Sequence, residues 1–219
     1  MGKSIALFHA TKPAIVPIEA AFEALWPEAE IWNLLDESLS HEIDAAGGLN
    51  DPLTARFINL ARYAKDTNVD AILFTCSAFG PAIEQCAREF DIPALKPNEA
   101  MLEAALELGG EIGLVATHPP TLPMMQQQLE AAALASGRDI TVRPILVEGA
   151  WAALADGDNA RHDGLVVAAA EACGDCNAIA LAQFSMAPLV DAIQAGSTAP
   201  VLSSPHTAVM KLRKILGAS

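Results

Sequence analysis

The sequence predicts an α/β protein built from two pseudo-symmetric Rossmann-like lobes, each a four-stranded, mostly parallel sheet flanked by helices. Three observations carry this expectation. Short apolar runs alternate with stretches of helical periodicity along all 219 residues. The run "DAILFTC" (70–76) is apolar on both faces, as a strand buried within a parallel sheet must be. Landmark residues also recur at one offset: Ile5 and Ile112 lie 107 positions apart (112 − 5), as do Ile72 and Ile179 (179 − 72) and Pro93 and Pro200 (200 − 93). Any two α/β halves can be slid into partial agreement, but three strand landmarks sharing one ungapped offset favour a duplicated unit.

Taken in order, 4–10 reads as a strand and 13–27 as an amphipathic helix ended by Pro27. A second strand covers 30–36. "GGLNDP" (47–52) is a turn that serves as a connector or a lid, and a helix follows over 53–68. The buried strand 70–76 leads into a helix over 80–91 and a short strand over 92–97. The pattern then restarts with a strand over 111–117 and a helix over 121–137 that stops at Gly137. Strands at 140–147, 177–183 and 199–205 alternate with helices at 162–174 and 186–196. The predicted domains are 1–98 together with a returning C-terminal helix (206–219), and 99–205, with an active-site cleft between them.

Composition removes several classes of function. The chain carries 27 acidic and 13 basic residues, a net charge of −14, so it lacks the basic footprint of a nucleic-acid binder. No apolar run approaches the ~20 residues that span a bilayer. The start, "MGKSIALFHATKPAIVP", lacks the long apolar region of a signal peptide, and Ala6 stands where a myristoylation signal needs Ser or Thr. A soluble cytoplasmic protein without membrane partners is expected. In that compartment Cys76, Cys86, Cys173 and Cys176 are expected to be thiols. "CGDC" (173–176) has C-x-x-C spacing, but no second pair completes a zinc site, so a helix-to-strand turn is the simpler reading and no metal is expected. Neither G-x-G-x-x-G nor a Walker loop is present, and no cofactor is expected.

Ligands of open parallel sheets sit beyond the carboxyl ends of the strands. The candidates are therefore His9 and Thr11, Asp36, Thr75, Cys76 and Ser77 in the first half. In the second half they are Thr117 and His118, Gln183 and Ser185, and Ser204 and His206. Cys76 lies where an apolar strand meets a helix, between polar neighbours; it reads as a reactive thiol or as a small buried hydrophobe. Cys86 falls inside a helix and reads as core. Asp36 orients a histidine, binds a substrate amine or caps the following turn. His41 and His162 have polar sequence neighbours and are expected to be solvated. The offset of 107 carries Cys76 onto Gln183 (76 + 107), so a cleft between the halves would set these two side chains face to face.

The layout resembles the aspartate/glutamate racemase superfamily, which includes hydantoin and allantoin racemases, maleate cis–trans isomerase and arylmalonate decarboxylase. The resemblance rests on the two matching halves, on "ILFTCSAFGP" (72–81), on "IGLVAT" (112–117) and on "ALAQFSMAPL" (180–189). It implies a cofactor-independent racemase or isomerase acting at a carbon next to a carboxylate or related carbonyl of a small molecule. Cys76 would be its acid–base group, and Thr75, Ser77, Thr117 and Ser204 would donate to the carboxylate. It also implies a homodimer as one available assembly, dimers being common for this fold. The motif departs from the family at two places. Cys76-Ser77-Ala78 replaces the usual Cys-Asn-Thr, and Gln183 stands where the second thiol belongs. Three chemistries stay open: another acid (His206, His9 or His118) replaces the second thiol; a single thiol serves a decarboxylase; or Cys76 adds covalently to a double bond as in the maleate isomerase branch. A non-catalytic binding protein with the same cleft is the competing class.

Overall fold

The computed structural model describes residues 2–218. It falls into two compact units: the first takes the chain up to Glu99 and again from Ala208, and the second takes Ala100–Thr207.

The first unit has one parallel sheet of β1 (Ser4–His9), β2 (Glu30–Leu35), β3 (Ala71–Phe74) and β4 (Ala94–Leu95), in the order β2-β1-β3-β4. Its helices include α1 (Ile15–Leu25), α2 (Ser38–Ala46), α3 (Asp51–Lys65) and α4 (Gly80–Glu89). On one face of the sheet, Ala6, Phe8, Ile72 and Phe74 pack with Phe57 and Ile58 of α3 and Ile83 and Cys86 of α4. Aromatic rings dominate this core. Phe57 stacks on Phe8 at 4.7 Å and on Phe79 at 4.6 Å, the latter pair only 9° from coplanar. Phe79 closes the 3-10 turn Ser77–Phe79 that follows Cys76, so this pile reaches the candidate thiol. The turn "GGLNDP" ends inside α3: Asn50 caps it by accepting from the Leu53 N–H at 3.0 Å, and Pro52 sits in its first turn.

The second unit repeats the design. After α5 (Glu99–Leu108) come β5 (Gly110–Ala116), α6 (Thr121–Ser136), β6 (Ile140–Leu146), α7 (Ala150–Ala155), α8 (Asn159–Glu171), β7 (Ala178–Leu181), α9 (Val190–Gly196) and β8 (Val201–Ser203); α10 (Ser204–Ile215) starts in this unit, and from Ala208 onward it belongs to the first. The sheet order is β6-β5-β7-β8, again all parallel. Its two faces are both buried. Ile112, Leu114 and Ala116 pack with Met125 and Leu129 of α6, while Val115, Ile179 and Leu181 pack with Val166 and Ala170 of α8. Gly113 faces the second of these layers, where a Cβ would come within 2.8 Å of the Cys173 sulfur and 3.3 Å of the Cys176 sulfur.

The duplication is visible in the strand pairing. Ile5 pairs with Ala71 and Ile112 with Ala178; Ile72 pairs with Ala94 and Ile179 with Val201. Every central pairing therefore repeats at the 107 spacing. The edge strands break it: Ile5 pairs with Ile31, but Ile112 pairs with Val142, four positions beyond the offset. The connection before β6 is the longer one, and its helix α6 has 16 residues against 11 in α1.

One expectation is corrected. His162 is not solvated but 1% exposed, because it shares the inward stripe of α8 with Val166 and Ala170 at four-residue spacing. Its Nδ1 meets the Asp163 carboxylate at 2.8 Å, and its Nε2 is buried without a hydrogen-bond partner among the described residues.

Candidate active site

In each sheet the chain turns back at the centre: β1 and β3 are neighbours in the first unit, and β5 and β7 in the second. Crossovers leave in opposite directions there, which opens a crevice beyond the carboxyl ends of those two strands. In the first unit this place holds His9, Thr11, Thr75, Cys76 and Ser77; in the second it holds Thr117, His118, Gln183 and Ser185.

Cys76 is half-buried, extended (φ −122°, ψ 113°), and caps the 3-10 turn that leads into α4. Cys86, Cys173 and Cys176 are all buried free thiols. Burial pushes the Cys76 thiol up, the nearby Ala78 backbone N–H works against that, and Asp44 adds to the upward shift. The resting group is thus a protonated thiol. Cys86 is pushed up to about 11 and Cys173 to about 12, chiefly by burial.

Beneath Cys76 runs a chain of hydrogen bonds. His9 is fully buried; its Nδ1 lies 2.9 Å from Thr75 Oγ1 and its Nε2 2.9 Å from Asn33 Oδ1. Asn33 in turn donates to the Glu19 carboxylate at 2.7 Å. A carboxylate only accepts, so Asn33 presents its oxygen to His9, and the ring carries its proton on Nε2. Thr75 then donates to Nδ1. Burial holds His9 below its ordinary value, opposed by Asn33 and Glu19. Asn33 and Glu19 were missed in the sequence; the only sign was a polar residue inside the strand "EIWNLLD".

Asp36 caps the following turn. It accepts from the Ser38 N–H at 3.0 Å and pairs with Arg56 at 2.6 Å, while Arg56 also contacts Ser38 and Glu42. Burial opposes the Asp36 charge, but the Ser38 and Arg56 hydrogen bonds outweigh it and hold the carboxyl below its usual range.

In the second unit the Gln183 carbonyl oxygen gathers three donors. These are the Thr117 N–H at 2.6 Å, the Thr117 hydroxyl at 3.1 Å and the His118 N–H at 3.2 Å. The His118 ring lies against Trp151, centroids 4.3 Å apart, and its Nδ1 is 3.3 Å from Thr121 Oγ1. At the end of β8, Ser203 Oγ is 2.7 Å from His206 Nδ1, and the buried Ser204 hydroxyl reaches Met101 sulfur at 3.6 Å. Burial lowers the His206 pKa, and Asp191 opposes this. The hydroxyls therefore sort into two sets. Those of Thr75, Thr117 and Ser204 are engaged inside the protein, whereas those of Thr11, Ser77 and Ser185 are partly exposed and have no hydrogen-bond partner among the described residues. No group of three or more His, Cys, Asp or Glu able to hold a metal occurs among the described residues.

The model of the family described as Asp/Glu/Hydantoin racemase matches residues 18–212. The chain belongs to this racemase family. Solved structures agree on the fold. An allantoin racemase from Klebsiella pneumoniae superposes with a TM-score of 0.73 at 18% identity, covering 99% of this chain and 88% of that one. An allantoin racemase from Pseudomonas fluorescens gives 0.66 at 20% identity, covering 99% and 92%. An aspartate racemase from Picrophilus torridus gives 0.70 at 14% identity, covering 99% and 95%. At these identities the likeness is one of fold. No match was found among curated proteins. No helix among the described residues is long and apolar enough to cross a membrane.

Proposed function

We propose that this member of the racemase family is a cofactor-independent racemase or isomerase that moves a proton at a carbon next to a carboxylate or related carbonyl of a small molecule, with Cys76 as the acid–base group. The observation that carries the reading is the setting of Cys76. It is the one cysteine of the four that is not buried, and it stands at the N-cap of a 3-10 turn where the first sheet's strand order reverses. Thr11 and Ser77 supply the uncommitted hydroxyls for the substrate's oxygens on that side. His206, with Ser203 at Nδ1, is the candidate acid–base group in place of the second thiol; burial favours its neutral form, which takes up a proton.

Two features favour a second reading, a decarboxylase working with one thiol. The resting Cys76 is held protonated, and an amide replaces the other thiol. In that chemistry the bond to one carboxylate of a malonate breaks, carbon dioxide leaves, and the electron pair remains as an enediolate. Cys76 gives its proton to the carbon and regains one from water. A protonated thiol is less suited to covalent addition, which needs the thiolate.

The test is incubation in D₂O with aspartate, glutamate, hydantoins, allantoin and arylmalonates, using wild type and Cys76→Ala. Deuterium at the α-carbon that disappears in the variant supports the role. Undiminished incorporation in Cys76→Ala overturns it.

A further inference from the structure

We propose that Gln183 anchors a carbonyl or carboxylate oxygen of the substrate through its side-chain N–H₂ group and takes no part in proton transfer. The inference rests on the reading of these strand ends as the substrate site. It goes beyond that reading by giving the residue in the second thiol's place a definite chemical role.

The argument begins with the three donors on the carbonyl oxygen. A carbonyl has two lone pairs, so bonds from the Thr117 N–H, the Thr117 hydroxyl and the His118 N–H leave it no capacity for a ligand. Two of these donors are backbone N–H groups that cannot reverse their role. Turning the amide over would set its nitrogen against both of them, so the orientation follows from the bonding pattern. The nitrogen must then point away from the clamp. It has no hydrogen-bond partner among the described residues, and it carries two donors on a half-buried residue.

Gln183 holds in the second unit the place of Cys76 in the first: each stands two residues past the end of β3 or β7, the matching strands, at the N-cap position of a 3-10 turn. An amide offers no proton at neutral pH. What it offers is a donor whose direction is already fixed, so little rotational freedom is lost when an oxygen binds. In this unit a fixed hydrogen bond stands where the family pattern has an exchangeable proton.

The decisive variant is Gln183→Glu. A carboxylate oxygen can occupy the same three-donor clamp, and those donors keep it ionised. The other oxygen then presents an acceptor and a negative charge where wild type presents N–H. A merely structural role for Gln183 tolerates this change; an anchoring role does not. The full-length protein, with ¹⁵N in its glutamine side chains, is titrated with aspartate, hydantoin and malonate. The Gln183 amide signal is assigned by its absence in the variant. We expect that signal to shift saturably with at least one of these probes, in wild type and Cys76→Ala alike. We also expect Gln183→Glu to bind that probe on the order of tenfold or more weakly, the range for a hydrogen bond to a charged group, with a thermal midpoint no lower than wild type. A Gln183 signal that none of the probes moves, or a Gln183→Glu protein that binds as tightly as wild type, overturns the proposal. Deuterium exchange surviving in Cys76→Ala would overturn the thiol's role alone, so the two failures are separable.

Discussion

Replacing Gly113 by alanine destabilises the second unit, although an added methyl in a strand ordinarily does the reverse. Removing glycine's freedom from the unfolded chain is worth roughly 0.5–1 kcal/mol in favour of alanine. Against it stands the space at β5. The new Cβ would lie 2.8 Å from the Cys173 sulfur, 3.0 Å from the Cys173 Cβ and 3.3 Å from the Cys176 sulfur. Both cysteines are buried, at 0% and 6% exposure, so neither can swing into solvent. Overpacking of this kind costs about 1–3 kcal/mol. With about 2–4 °C lost per kcal/mol for a chain of this size, the midpoint falls by several degrees. The assay is urea unfolding of wild type, Gly113→Ala, Cys173→Ala and the double variant. Cys173→Ala removes the nearest atom and leaves the Cβ contact, so the alanine's cost should shrink in that background without vanishing. A coupling of at least about 0.5 kcal/mol is expected for residues in such contact. A neutral or stabilising Gly113→Ala, or an equal cost in both backgrounds, refutes the reasoning.

Iodoacetamide applied to the folded protein should label Cys76 ahead of Cys86, Cys173 and Cys176, with the rate rising only above the ordinary thiol range; peptide mapping after labelling at several pH values checks both points. Stability should fall as pH drops below about 6.5, because burial holds His9 below that value and the unfolded chain then binds a proton that the folded chain refuses. His206 acts in the same sense, and His9→Gln should flatten the dependence of the urea midpoint on pH. Asn50→Ala, which removes the cap on α3, should cost about 1 kcal/mol in the same unfolding assay.

The fold was legible because both units use buried parallel strands, whose apolar runs and fixed spacing survive in one dimension. Ile72 and Ile179 pair with partners at matching places, so the spacing found between them reported a real register. The edge strands were less legible. A strand with one ladder neighbour tolerates a connection of different length before it, and β6 is displaced by four positions. The helices α2, α5 and α7 went unread; α7 is only six residues, too short for a periodic signal. Among site residues, position after a strand was readable for Cys76 and Gln183. The partners of His9 and Asp36 were not. Asn33 reaches His9 from the edge strand, and Arg56 reaches Asp36 from a helix twenty residues on. His162 shows the same limit: its neighbours in sequence are polar, whereas its neighbours along the helix stripe are not.

Phe79 belongs at once to the aromatic pile of the first unit and to the turn that bears Cys76. The Cys76 sulfur therefore hangs from a turn that is itself anchored in the core. Heating that melts the interior of the first sheet and heating that spoils the sulfur's aim should trace a single temperature curve.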